Sequence, residues 1–441
     1  MRTPTRPPRT YIAARARALA VSAVAVALVV TGCSATDAAS STTTPATSPA
    51  ATSAASGCVA DPAALAAGDP SAPDSPLPAA TVAALDAATS AGHAETSATG
   101  AIVAVQTPEG RYLTAVGTAD AAGTPMSVDD VQRVGSITKT FTGTLVLQLA
   151  EEGKLSLDDP ISDYVDGVPN GENITLHELI TMTSGLASYS LSTELQNRWF
   201  ADPYAEWSPQ QLLDAAWTLD PLFAPGEKFN YSNTNFILLG EVIERVEGRP
   251  YADVVRSRIT EPLGLQHTVM PAGTDPLPVP HATGLTLQGT ADGDFTPVDA
   301  TGWNPSFAWT AGQLTSTAAD LLTYARAIVV GDELLDASSQ TERMTFPGSG
   351  GYGYGEAIGC IDGWVGHTGE IPGFNTVMFH ETTSDTTVVV FANSDILSGT
   401  CSESKTMPDN PSTGPCMAPA TRVFVAVADA LGHPFTPNPA D

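Results

Sequence analysis

Lysine is nearly missing from this sequence: four occur in 441 residues, and lysine and arginine together number 19 against 48 acidic residues, a formal net charge of −29. A chain so poor in positive charge repels phosphate backbones and anionic headgroups, which excludes nucleic acid as a partner and leaves solubility as the reason for the acidity. Metal-binding spacings are missing as well. No CxxC and no HExxH occurs, so neither a metal site nor another cofactor is expected. No internal repeat stands out, and the apolar run ALAVSAVAVALVV, residues 18–30, is too short to cross a bilayer comfortably.

That run follows MRTPTRPPRTYIAARAR, which carries five arginines and no acid, and it precedes Thr31-Gly32-Cys33. Residues 1–32 therefore read as a secretory signal. The ending Val30-Thr31-Gly32-Cys33 resembles the lipobox of bacterial lipoproteins, cut before a cysteine that is then acylated. The resemblance implies lipidation at Cys33, export, and attachment to the outer face of the cytoplasmic membrane through the lipid alone. Removing the signal leaves 14 basic residues against 48 acidic, a net charge near −34. Residues 33–78 are dominated by Ala, Ser, Thr and Pro and are expected to form a disordered tether, with the folded domain spanning 79–435 as a monomer. Four cysteines remain, and an exported chain allows two disulfides in three pairings. The polar, proline-bearing insert between Cys401 and Cys416 favours that pair, which leaves Cys58 with Cys360.

Helical periodicity marks ATVAALDAATSAG, and AIVAVQ and RYLTAVG around TPEG read as a hairpin. Helical patterns dominate from residue 136 to about 330. Strand patterns return in GYGYGEAIG, GWVGHTG, FNTVMFH and TTVVVFAN, and PATRVFVAVADALG closes the chain as a helix. Strands near both ends with helices between them predict an α/β (α+β) fold: one antiparallel sheet flanked by N- and C-terminal helices, with a large all-helical insertion.

One of the four lysines stands in VGSITKTFTG, three residues after Ser136 and at the start of an apolar helix. Residues three apart share a helix face, so the Lys139 amine can reach the Ser136 hydroxyl and act as its base once burial has stripped the amine of its proton. Spacing alone is weak, since SESK at residues 402–405 also fits it, inside the proline-broken insert. Two further stretches add polar groups. APGEKFNYSNTNF offers Tyr231 and Asn233 just before a helix, and GWVGHTGEIPG places His367, Thr368, Gly369 and Glu370 along a strand. Each has a bland alternative: Tyr231 as a hydrophobic staple, Asn233 as an N-cap, His367 as a satisfied edge histidine.

Taken in order, SITK, YSN 95 residues after the serine and HTG 136 residues after the tyrosine resemble the penicillin-recognising serine hydrolases, the superfamily of D-alanyl-D-alanine carboxypeptidases, class C β-lactamases and related esterases. The resemblance covers about residues 79–433. It implies a β-lactamase/transpeptidase-like fold, Ser136 as the acylated nucleophile, and Lys139 as base or proton relay. Tyr231 would carry the proton to the leaving group, its phenol pKa lowered by Lys139. Asn233 would hold the substrate amide, His367 would support the relay, and the amides of Ser136 and Glu370 would form the oxyanion hole beside Thr368 and Gly369. Whether Lys139 or Tyr231 is the base stays open. The implied partners are peptidoglycan stem peptides, β-lactams or small esters, with D-alanyl-D-alanine carboxypeptidase activity foremost, an esterase or β-lactamase as the alternative, and a non-catalytic penicillin- or wall-peptide-binding lipoprotein as a further one.

One feature departs from the pattern. Carboxypeptidases of this kind commonly grip the substrate carboxylate with an arginine near the third motif, yet no lysine or arginine occurs between Arg343 and Lys405, and the residue after HTG is Glu370. An acid there repels a carboxylate and suits a neutral or amine-bearing group. Phe307 and Trp309 in WNPSFAWTAG are candidates for the cleft wall or, equally, for the core.

Overall fold

A computed structural model describes residues 58–437, apart from 274, 292, 348–351 and 403–405. The signal, Cys33 and Lys405 of the second serine-x-x-lysine copy lie outside the described residues. Within them no helix is long and apolar enough to cross a membrane.

The centre is a seven-stranded antiparallel sheet ordered β2-β1-β11-β10-β9-β8-β7. β1 (Gly100–Thr107) and β2 (Gly110–Gly117) form the expected hairpin, with Thr107 opposite Gly110. β7 (Tyr352–Tyr354), β8 (Gly359–Ile361), β9 (Trp364–Ile371), β10 (Phe374–Glu381) and β11 (Thr386–Ala392) come from the far end of the sequence, and β11 pairs with β1 to join the two ends in one sheet. Both faces are covered, so the central strands read as nearly unbroken apolar runs. Val103 and Val105 of β1, with Val388 and Val390 of β11, face a core shared with α2 (Ala79–Ala94) and α11 (Pro419–Ala430). These two helices cross so closely at Gly92 that a Cβ there would lie 2.9 Å from the Val423 Cα. Ile102, Met378, Val389 and Phe391 face a larger core built on α3 (Thr138–Glu151).

α3 holds four threonines and has modest intrinsic propensity, but burial decides the outcome. Its first ten residues are all buried, and the threonine hydroxyls bond inward: Thr140 to the Ile137 carbonyl, Thr144 to that of Thr140, and Thr142 to that of Thr310. α4 (Leu176–Ile180), α5 (Thr193–Ala201), α6 (Pro209–Ala216), α7 (Asn233–Glu247), α8 (Tyr251–Val255), α9 (Ala318–Ala327) and α10 (Ala337–Arg343) complete the helical part. Two-residue ladders join β3 (Gln132–Arg133) to β6 (Thr315–Ser316), and β4 (Leu285–Thr286) to β5 (Val298–Asp299).

Two expectations differ from this picture. The tether was to run to residue 78, yet residues 58–78 pack on the domain. They carry α1 (Pro62–Ala66), bury Val59, Ala66 and Leu77, and are bound by a Cys58–Cys360 disulfide and by Arg326, which donates to the carbonyls of Asp69 and Pro70. The helical insertion was to reach about residue 330, yet residues 266–314 form two short strands, 3-10 turns and loops. Both disulfides form as expected, the second joining Cys401 to Cys416.

Candidate active site

Ser136 sits in a 3-10 turn, Gly135–Ile137, at the entrance to α3. Gly135 has φ +52°, and a Cβ there would stand 2.6 Å from the Glu370 amide nitrogen; on the other side a Cβ on Gly369 would stand 2.0 Å from the Val134 carbonyl oxygen. Only two glycines allow the serine turn to lie against β9 in this way. Past Gly366, where its pairing with β8 ends, β9 meets the serine turn instead of another strand.

The Lys139 Nζ lies 2.9 Å from the Ser136 Oγ and donates to the Ala311 carbonyl at 2.7 Å. That carbonyl is delivered by the turn Trp309–Ala311, which begins with Trp309 at φ +32°, a conformation few bulky side chains adopt. Lys139 is fully buried with no carboxylate against it, and burial pushes its amine well below the ordinary lysine range. Neutral, the amine can donate to Ala311 and turn its lone pair to the serine hydroxyl.

The other expected groups converge here. The Tyr231 ring centroid is 5.0 Å from the Lys139 Nζ and 6.1 Å from the His367 ring. Burial pushes the Tyr231 phenol up, opposed by its interaction with the Ser136 hydroxyl. The lowering by Lys139 expected from the sequence is not found, because the burial that silences the lysine charge also disfavours a phenolate. His367 is buried; its Nδ1 lies against the Thr368 carbonyl and its Nε2 3.3 Å from the Tyr354 hydroxyl. Burial, then the Lys139 charge when present, drives the imidazole down to about 4, so it is neutral near pH 7.

Asn233 opens α7, whose N-cap position is Ser232, so it is not the cap. Its amide donates to the Ser188 hydroxyl at 3.2 Å and its Nδ2 to that of Ser190 at 3.4 Å. Phe307 packs 3.9 Å from Trp199 and is partly buried, whereas Trp309 lies against α7 at Gly240 and beside Tyr251. Sequence reasoning missed Tyr354, the Ala311 carbonyl, and Ser188 and Ser190. Only the loop ASYS, rich in hydroxyls without an apolar period, offered a signal.

A serine hydroxyl beside a buried lysine, with a tyrosine and a histidine against it, is an arrangement in which a hydroxyl can be activated as a nucleophile, as in the serine hydrolase superfamily. The Beta-lactamase family profile matches residues 85–400, and the chain belongs to that family. The chain is 34% identical to the D-stereospecific amidohydrolase from a Streptomyces species, whose structure aligns with a TM-score of 0.64 over 73% of this chain and 95% of that one. D-amino acid amidase from Ochrobactrum anthropi SV3, in a complex with L-phenylalanine amide, aligns with a TM-score of 0.66 at 26% identity over 80% of this chain and 100% of that one. Among curated proteins, penicillin-binding protein 4 of Amycolatopsis lactamdurans is 27% identical over 248 residues, 55% of this chain and 61% of that protein. The chain spans about three fifths of the length of the curated relatives first matched.

Proposed function

We propose that this chain is an exported serine hydrolase that cleaves an amide, peptide or ester bond at the carbonyl of a D-configured residue through an acyl-enzyme on Ser136, D-alanyl-D-alanine peptides being one member of the class. The observation that carries the reading is the fully buried Lys139 amine 2.9 Å from the serine hydroxyl, its pKa pushed well down by that burial. Oγ attacks the carbonyl carbon while its proton moves to Lys139, directly or through Tyr231. The resulting oxyanion is received by the amides of Ser136 and Glu370. Collapse expels the leaving group, which takes a proton from Tyr231, and water repeats the sequence to free the acid and restore the serine. His367, neutral and fixed by Tyr354, supports Tyr231 without adding charge.

The relatives named for D-amino acid substrates and for penicillin binding support the D-configured acyl group. The arginine-rich apolar leader, the Cys33 lipobox and two disulfides support export and a lipid anchor. The test is to incubate the protein with a fluorescent penicillin and with a p-nitrophenyl ester of a D-amino acid, beside Ser136→Ala. Covalent labelling and ester turnover lost together in the variant support the reading; either one surviving at the wild-type rate refutes it. Palmitate labelling in cells, abolished by Cys33→Ala, tests the anchor.

A further inference from the structure

Neither ring nitrogen of His367 is needed for the proton transfers at Ser136, and both are already engaged. Nδ1 lies against the Thr368 carbonyl, which can only accept, so Nδ1 carries a proton. Burial keeps the imidazole neutral near pH 7, so Nε2 holds a lone pair. The Tyr354 hydroxyl, 3.3 Å from Nε2, is therefore the donor of that pair. The imidazole is left to meet Tyr231 through its ring, with centroids 6.1 Å apart. Tyr354 also touches the segment that carries Tyr231. The Phe229 and Tyr231 rings, two residues apart, stand with their centroids 5.5 and 6.3 Å from that of Tyr354. Between them the Asn230 amide donates to the Met182 carbonyl at 2.9 Å and pins the segment from its backbone. One side chain at the end of β7, the edge strand of the sheet, thus supports both the histidine of β9 and the tyrosine before α7.

We propose that Tyr354 is a positioning residue for acyl transfer: its hydroxyl locks His367 as the Nδ1–H tautomer, and its ring seats Tyr231 beside Lys139. This inference rests on the acyl-enzyme reading of Ser136. It confines the moving protons to Ser136, Lys139 and Tyr231, and gives the histidine a supporting role without proton exchange. Removing the Tyr354 hydroxyl leaves a buried lone pair on Nε2 without a donor. That lone pair is then open to the Tyr231 phenol, whose proton is drawn away from Ser136. Removing the ring as well takes away the surface on which Phe229 and Tyr231 rest, and a displacement of the reacting hydroxyl costs more than a lost hydrogen bond.

The experiment follows p-nitrophenolate release from a D-alanine p-nitrophenyl ester in single turnovers with enzyme in excess, so that the limiting rate reports acylation and the half-saturating enzyme concentration reports binding. Expected in Tyr354→Phe is a limiting rate about 10-fold lower with half-saturation within about twofold of the wild type, and in Tyr354→Leu a loss of about 100-fold. In a His367→Asn background, adding Tyr354→Phe should change the rate by less than about twofold, because the hydroxyl acts through the imidazole. Independently of these rates, long-range proton–nitrogen correlation on wild type with isotope-labelled histidine should show a protonated Nδ1 and a bare Nε2 at pH 7, the His367 signal being assigned by its loss in His367→Asn or His367→Gln. A bare Nδ1 or a doubly protonated ring overturns the inference and leaves the acyl-enzyme reading standing. So does a Tyr354→Phe enzyme that melts lower yet acylates at the wild-type rate, or one altered in half-saturation alone. Release that is absent from the wild type, or that survives in Ser136→Ala, overturns the acyl-enzyme reading and the inference with it.

Discussion

In the proposed mechanism Lys139 takes up the serine proton because of where the amine sits. Its amine is enclosed by the Tyr231 and Phe236 rings, 5.0 and 5.8 Å from their centroids, and meets no carboxylate. An amine held neutral in the folded state but protonated when unfolded costs stability at every pH between its folded pKa and the ordinary lysine value near 10.5. The unfolded chain binds the extra proton over that window, so stability rises with pH and the cost vanishes above about 10.5. Lys139→Met should therefore raise the melting temperature at pH 7 and do so less at pH 10, as thermal melts at the two pH values would show. The same variant should slow acylation by about 10²- to 10⁴-fold, the usual contribution of a positioned base, measured as the rate of penicillin labelling. A difference in melting temperature between Met variant and wild type that does not change from pH 7 to pH 10 would show that the amine does not change its protonation on unfolding, and so is not the neutral base described.

Between residue and fold, the contact of the serine turn with β9 decides whether the charged groups matter at all. Gly135→Ala should cut ester hydrolysis by about 100-fold or more, because its Cβ must push the Glu370 amide away from the position that receives the oxyanion. Gly123 has φ +84° with open space around it, so Gly123→Ala carries the backbone strain without the collision and should leave kcat/KM unchanged. Steady-state kinetics on the pair separate the two effects. The serine and lysine were readable in the sequence because their geometry is local, one helical turn, and the strands were readable because a sheet buried on both faces needs runs such as TTVVVFA. Tyr354 was not readable, since nothing in GYGYGE reveals that β7 and β9 bring it to His367. The segment 58–78 was misread for a related reason. Its Ala/Pro composition is that of a linker, and what orders it, Cys360 and Arg326, lies hundreds of residues away. The loops of 266–314 supply the carbonyl that orients Lys139, a backbone contact that no side-chain pattern reveals.

At the scale of the molecule, the N-terminal strap closes a loop around almost the entire domain. Cys58 and Cys360 are 302 residues apart, while Cys401 and Cys416 are separated by only 15. In the chain-entropy model the first link destabilises the unfolded chain by about 5–6 kcal/mol and the second by about 3. The strap also covers β2 through Leu77, whose amide donates to the Arg111 carbonyl, and seats Arg326 between its own carbonyls and Asp385. None of these contacts involves Ser136, Lys139 or Tyr231. Stability and catalysis are thus carried by different parts of the fold, the strap and two cores on one side and the junction of α3 with β9 on the other. Cys58→Ser should accordingly lower the melting temperature more than Cys401→Ser, while ester hydrolysis at 25 °C stays within about twofold of the wild type, since a change remote from the reacting groups removes no transition-state contact. Calorimetry beside steady-state kinetics checks both halves, and a Cys58→Ser protein that melts normally but has lost its activity would show that the strap shapes the catalytic cleft.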